Sequence, residues 1–158
     1  CHGLERLVDI LIQWTPNPEV TPDPEIEAVR AGDREELLAK CCFAVWLICQ
    51  KNPENQVAFS EARGMTTLVR LLEFCTDETV LEMAAGAVCA LCDGCDQNKA
   101  RFREDQGLKP LIALLDHGCD TVKLNSAKAL CHLSEAEENR SIVRDLGALD
   151  KLVRLLKS

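Results

Sequence analysis

The sequence is short of several features, and each shortage removes a class of protein. None of its apolar runs approaches the ~20 residues that cross a bilayer. No basic segment followed by an apolar one marks a secretory leader. Cationic charge is scarce: 18 Lys and Arg stand against 26 Asp and Glu, a formal net charge of −8. Such a balance repels phosphate backbones and anionic lipid, so neither nucleic acid nor membrane is an expected partner. No glycine-rich phosphate loop follows a strand, and no segment carries the alternating pattern of a strand. What remains is a helical chain of 158 residues, long enough for one domain.

Ten cysteines are present, several of them inside long apolar helical patterns (Cys41, Cys42, Cys49, Cys89, Cys92, Cys131). A disulfide scaffold would be loop-rich and poor in core. Free cysteine, by contrast, behaves as a small buried hydrophobe. The expected setting is therefore a reducing, cytoplasmic one. Cys89 and Cys92 have the spacing of half a zinc site, but no second C-x2-C pair completes it. The pair falls one helical turn apart, which suits packing, and no metal or other cofactor is expected. A thiol-based zinc or redox site is the weakest of the competing functions.

The dominant feature is self-similarity. Asn55, Asn98 and Asn139 fall 43 and 41 residues apart. Each precedes an apolar residue (Phe59, Phe102, Ile142), then a glycine (Gly64, Gly107, Gly147). An apolar box follows: Leu68-Val69-x-Leu71-Leu72, Leu111-Ile112-x-Leu114-Leu115, Leu152-Val153-x-Leu155-Leu156. A fourth box opens the chain at Leu7-Val8-x-Ile10-Leu11. After the box comes an amphipathic helix rich in small residues, with Ala84, Ala85 and Ala87 matching Ser126, Ala127 and Ala129. Small residues on one stripe let stacked helices approach closely. Cys49, Cys92 and Ser134 share one column, which again favours packing over thiol chemistry.

This unit resembles the armadillo repeat, and the resemblance covers the chain apart from residues 13–33. It implies an all-α, right-handed solenoid of three-helix repeats, with two complete repeats and a partial one at each end. The expected divisions are a partial repeat at 1–50, repeats at 51–95 and 96–136, and a partial repeat at 137–158. In the best copy the three helices map to 54–62, 65–74 and 78–93, and in the next to 97–106, 108–116 and 120–134. The first copy lacks a first helix and the last lacks a third. Uncapped ends of this kind suggest self-association through them, or a fragment of a longer array.

Between the first box and its third helix the spacing is 18 residues longer than in the second copy. This stretch holds Pro16, Pro18, Pro22 and Pro24, and acidic residues crowd 19–36. It reads as a Pro-rich acidic insertion at 13–33, in which Gly32 stops any short helix and Asp33 caps the next one at Arg34. As a surface arm it would suit a basic partner.

The resemblance also implies where a partner would sit: on the concave side lined by third helices. Peptide-binding members carry asparagines there, with tryptophans one turn earlier. This chain has Leu47, Ala90 and His132 at the first set and Phe43, Gly86 and Lys128 at the second. Both ladders are absent, which argues against grip on a basic peptide backbone. The candidate surface is an apolar patch (Lys40, Phe43, Trp46, Leu47), a small-residue middle (Gly86, Ala90) and a polar patch (Asn125, Lys128, His132). Such a surface suits a peptide or an amphipathic helix. The competing reading is a structural spacer that stacks through its open ends. Catalysis is not expected. His132 and Cys131 are adjacent on a helix and diverge, and His117, between helices, reads as a helix C-terminal cation.

Overall fold

The computed structural model describes residues 2–15 and 24–157, with side chains described for 3–15 and 32–157. The described residues form α1 (His2–Trp14), α2 (Pro24–Cys49), α3 (Pro53–Glu61), α4 (Gly64–Phe74) and α5 (Glu78–Cys92). They continue as α6 (Asp96–Glu104), α7 (Leu108–Ala113) with a 3-10 turn at Leu114–Asp116, α8 (Asp120–Leu133), α9 (Glu137–Asp145) and α10 (Ala148–Lys157). No strand occurs among them. The order repeats as first, second and third helix: α3–α4–α5, then α6–α7–α8. Before them stand α1 and α2 as second and third helices, and after them α9 and α10 as first and second.

Local chemistry sets the boundaries. Asn52 opens α3 by accepting the Asn55 N–H at 3.1 Å, and Pro53 occupies the first turn, where its missing N–H is harmless. Asp77 opens α5 by accepting the Val80 N–H at 2.9 Å. Along α4, Met65, Leu68, Val69 and Leu72 recur at helical spacing and all are buried. Burying each such side chain contributes about 1.5–3 kcal/mol. One apolar core runs unbroken from Leu4 to Ala148. Its backbone is the row of third helices, since α5 makes its most extensive contacts with α2 on one side and α8 on the other.

The repeated asparagines turn out to be splints. Asn98 is fully buried, and its Nδ2 donates to Leu91 O at 2.9 Å and to Gln56 O at 3.1 Å. Asn139 Nδ2 donates to Leu133 O at 2.8 Å, and Asn55 Nδ2 to Ile48 O at 3.0 Å. In each copy the first helix thereby satisfies a carbonyl in the last turn of the preceding third helix, where intrahelical partners run out.

Two sequence expectations need correction. Gly147 and Ile142 do not belong to the columns assigned to them. A Cβ on Gly64 would meet the Phe59 ring at 2.4 Å, and one on Gly107 the Phe102 ring at 2.5 Å. In the last copy the Phe column holds the smaller, buried Val143, and the glycine column holds the buried Ala148. Gly147 stands one position earlier at φ 74°, matching Arg63 at φ 66° and Gln106 at φ 61°. Its role is the left-handed turn, which glycine adopts without strain.

Second, Gly32 does not stop a helix and Asp33 does not cap one, because α2 passes through both. Glycine inside a helix costs only about 1 kcal/mol relative to alanine, and α2 is docked along α5. The expected insertion at 13–33 is thus in part an N-terminal extension of the third helix. Its proline-rich stretch at 16–23 lies outside the described residues.

Candidate functional site

The residues singled out from the sequence sit at the seams between third helices. Trp46 lies across Gly86: a Cβ there would come within 2.3 Å of the indole. Only glycine admits the ring. Phe43 meets Trp46 edge-on, with ring centroids 6.3 Å apart at 83°, a favourable aromatic geometry. Leu47 stands one turn beyond Phe43 and is 56% exposed, while Phe43 is 43% exposed. Lys40 is exposed one turn before. The apolar patch is therefore brought together at the surface, with Trp46 half-buried as its base.

The middle and far parts are different. Gly86 and Ala90 are buried, and the Ala90 carbonyl accepts the Gln56 amide at 2.8 Å. Asn125 is buried as well, its Nδ2 spent on Glu82 O at 3.2 Å. Lys128 is exposed. His132 is half-buried, with Nδ1 3.6 Å from Asp93 Oδ1 and 3.5 Å from Glu135 Oε1, beyond good hydrogen-bond length. Of the nine candidates, Gly86, Ala90 and Asn125 hold helices together rather than offering a side chain to solvent.

Sequence reasoning missed a groove of about 590 Å³ between the middle of α2 and the start of α5. Ala39, Phe43 and Met83 give it an apolar lining, and Glu35, Glu36 and Asp77 join Lys40 around it. The acidic run in the sequence was the available signal. Reading that run as a surface arm, with a helix starting only at Arg34, left unnoticed that Glu35 and Glu36 border a groove against the start of the next third helix.

Cys42, Cys49 and Cys92 are buried in the core, where they serve packing. Burial pushes the Cys42 and Cys92 thiols far up, and the Cys49 thiol to about 12, so they stay protonated. His117 stands at the C-terminal end of the 3-10 turn, and its Nδ1 accepts the Cys119 N–H at 3.1 Å, ahead of α8. Among the described residues, no group of three His, Cys, Asp or Glu could hold a metal ion, and no helix is long and apolar enough to cross a membrane.

Fold and surface together define an all-helical right-handed solenoid of three-helix repeats. The Armadillo/beta-catenin-like repeat family matches residues 52–93 and 95–135. The chain belongs to the armadillo-repeat family. Among solved structures it is similar to an engineered protein, with TM-score 0.79, 26% identity, and 98% of this chain and 56% of that one covered. It is similar in fold to an armadillo repeats only protein from Plasmodium falciparum (TM-score 0.72, 18% identity, 98% and 64% covered). A designed armadillo repeat protein in complex with the peptide (KR)4 shares the fold as well (TM-score 0.70, 23% identity, 99% and 67% covered). The chain spans little more than half the length of the engineered relative named first. No curated protein matches it in sequence.

Proposed function

We propose that the chain is a non-enzymatic protein-interaction module, holding a peptide or helical segment on the concave face of α2, α5 and α8. Armadillo repeats form protein-interaction scaffolds, typically without catalytic activity, and one structural neighbour holds a peptide. The observation that carries the reading here is the exposed Phe43–Leu47 cluster braced by Trp46 on a row of mutually packed helices. Rigid aromatic and aliphatic anchors of this kind dominate binding energy at protein interfaces. Because the row is held by its own core, the surface is shaped before a partner arrives, which lowers the entropy lost on binding.

A photoreactive benzoylphenylalanine introduced in cells at Leu47 tests the reading against one at Arg101, on first helix α6. Covalent adducts with other proteins are expected from position 47 and not from 101. Equal adducts from both positions would sink it.

A second reading, a structural role in which a further helix stacks on the end of the array, draws on α10. Leu149, Val153 and Leu156 are 56%, 48% and 88% exposed, whereas Met65, Val69 and Leu72 in the same columns are buried. The same photoreactive group at Leu156 reports on this role. Adducts there and none at Leu47 would favour stacking.

A further inference from the structure

The two seams between third helices share one register, and two of the positions at which they differ decide how their helices are bonded together. Between α5 and α8, Thr121 Oγ1 donates to Glu82 Oε2 at 2.7 Å and Asn125 Nδ2 donates to Glu82 O at 3.2 Å. These bonds draw the N-terminal halves of the two helices together. One repeat earlier, the position of Glu82 is Ala39, that of Thr121 is Thr79, and that of Asn125 is Met83. Alanine has no carboxylate and methionine no amide, so the same stitch cannot form. The groove of about 590 Å³ opens there, with Ala39, Thr79 and Met83 all in its lining. Three carboxylates (Glu35, Glu36, Asp77) surround it against one ammonium (Lys40), on a chain of net charge −8.

We infer that this unstitched seam, acting through its own lining rather than through the ladders this chain lacks, is a docking site for an extended peptide in which an apolar side chain adjoins a lysine or arginine. The inference rests on the interaction-module reading above and names the partner chemistry of that face. The apolar side chain enters between Ala39 and Met83 against Phe43, where it leaves water and meets only carbon and sulfur. The adjacent cation is then set beside Glu35 and Glu36, whose field speeds encounter and disfavours acidic segments. Thr79, left with no Glu82 equivalent across the seam, lines the path of the peptide backbone.

The chain holds two methionines. Met83 lines the groove, and Met65 is fully buried in the core. With methyl-labelled methionine, titration with an acetylated Leu-Lys-Leu-Lys-Leu-Lys amide should move the Met83 methyl resonance saturably and leave Met65 still. Replacing Lys by Glu, or Leu by Gly, should weaken binding about tenfold or more, the scale of losing one good charged or apolar contact. No movement at Met83, or equal affinity for the Glu peptide, would overturn the inference.

The double variant Ala39→Glu with Met83→Asn restores the stitch. It should lower affinity for a fluorescein-labelled Leu–Lys peptide by about tenfold in anisotropy, with helical circular dichroism unchanged. If that variant unfolds, Glu35→Gln with Glu36→Gln serves instead and should lose about as much. Undiminished binding in the folded variant overturns the groove while crosslinking at Leu47 still decides the broader reading, so the two failures are distinguishable.

Discussion

The seam between α2 and α5 and the seam between α5 and α8 start from one template and end in different physics. In the first, a ring fills the space left by a missing side chain, Trp46 over Gly86, and an apolar groove stays open. In the second, the equivalent of Gly86 is the exposed Lys128, and Glu82, Thr121 and Asn125 close the gap with hydrogen bonds. Apolar packing tolerates a gap at its edge because dispersion has no direction. Hydrogen bonds fix a spacing because they fail beyond a few tenths of an ångström. A repeat protein can therefore vary its surface by changing a few residues at a seam while the core behind stays the same.

The largest expected break in this comparison comes from the asparagine splints. Asn98→Ala strips partners from Leu91 O and Gln56 O in a fully buried place and should lower stability by about 3 kcal/mol. Asn55→Ala, at the junction after α2, removes one bond to Ile48 O in an exposed place and should lower it by about 1 kcal/mol. Urea unfolding of both variants checks the ratio. Equal losses would mean that the two junctions are energetically alike.

Next is the glycine under the ring. Gly86→Ala puts a methyl 2.3 Å from Trp46 and should destabilise by about 2 kcal/mol as the indole is displaced. Lys128→Ala, in the same column of the next repeat, should stay within about 0.5 kcal/mol, as an exposed site does. Tryptophan fluorescence would sharpen the result, since Gly86→Ala should shift the emission of a displaced Trp46 toward that of a wetter ring.

The contrast between these two glycine and lysine positions also shows how much was legible in the sequence. The register was readable because Asn98, Phe102 and the Leu111 box each do a job that recurs, so the same residue types return at the same spacing. Helices α3 to α8 accordingly fall within a few residues of their expected places. The columns slipped at Gly147 because a glycine is used for two unrelated reasons in neighbouring positions, a close ring contact and a positive φ. Site accessibility was harder to read. Whether position 86 faces water depends on Trp46, forty residues earlier and on another helix, and whether position 125 is free depends on the carbonyl of Glu82. No local pattern carries that information. The groove escaped for the same reason, since it is defined by what Ala39 and Met83 fail to bond.

Away from the seams, between α6 and the turn after α8, the chemistry becomes ionic. Lys99 Nζ, on a nearly buried side chain, meets Glu135 Oε2 at 2.6 Å and Asp96 Oδ1 at 2.9 Å. The hydrogen bond from Lys99 holds the Glu135 carboxyl below its usual range. A carboxyl depressed in the fold contributes stability above its unfolded pKa and loses it as pH falls through the folded value. The difference in unfolding free energy between the unaltered chain and Glu135→Gln should be about 1 kcal/mol near neutrality, modest because Glu135 is half exposed. It should vanish as pH falls below the ordinary carboxylate range. A difference independent of pH would show that the pair contributes by packing alone.

The smallest expected effect tests the feature that sets α2 apart from α5 and α8, its extra N-terminal length. Gly32 stands in that extension, exposed, and a Cβ there would meet nothing within 4 Å. Because the helix runs through it, Gly32→Ala loses no contact and restricts the unfolded chain, so stability should rise by about 0.5–1 kcal/mol. Hydrogen exchange of the amides around residues 32–36 should slow in parallel, since the opening that exposes them becomes rarer. An unchanged melting temperature with unchanged exchange would mean that the third helix of the first repeat starts where α5 and α8 start. Glu35 and Glu36 would then sit on a helix end, and the groove would lose the wall that gives it an acidic side.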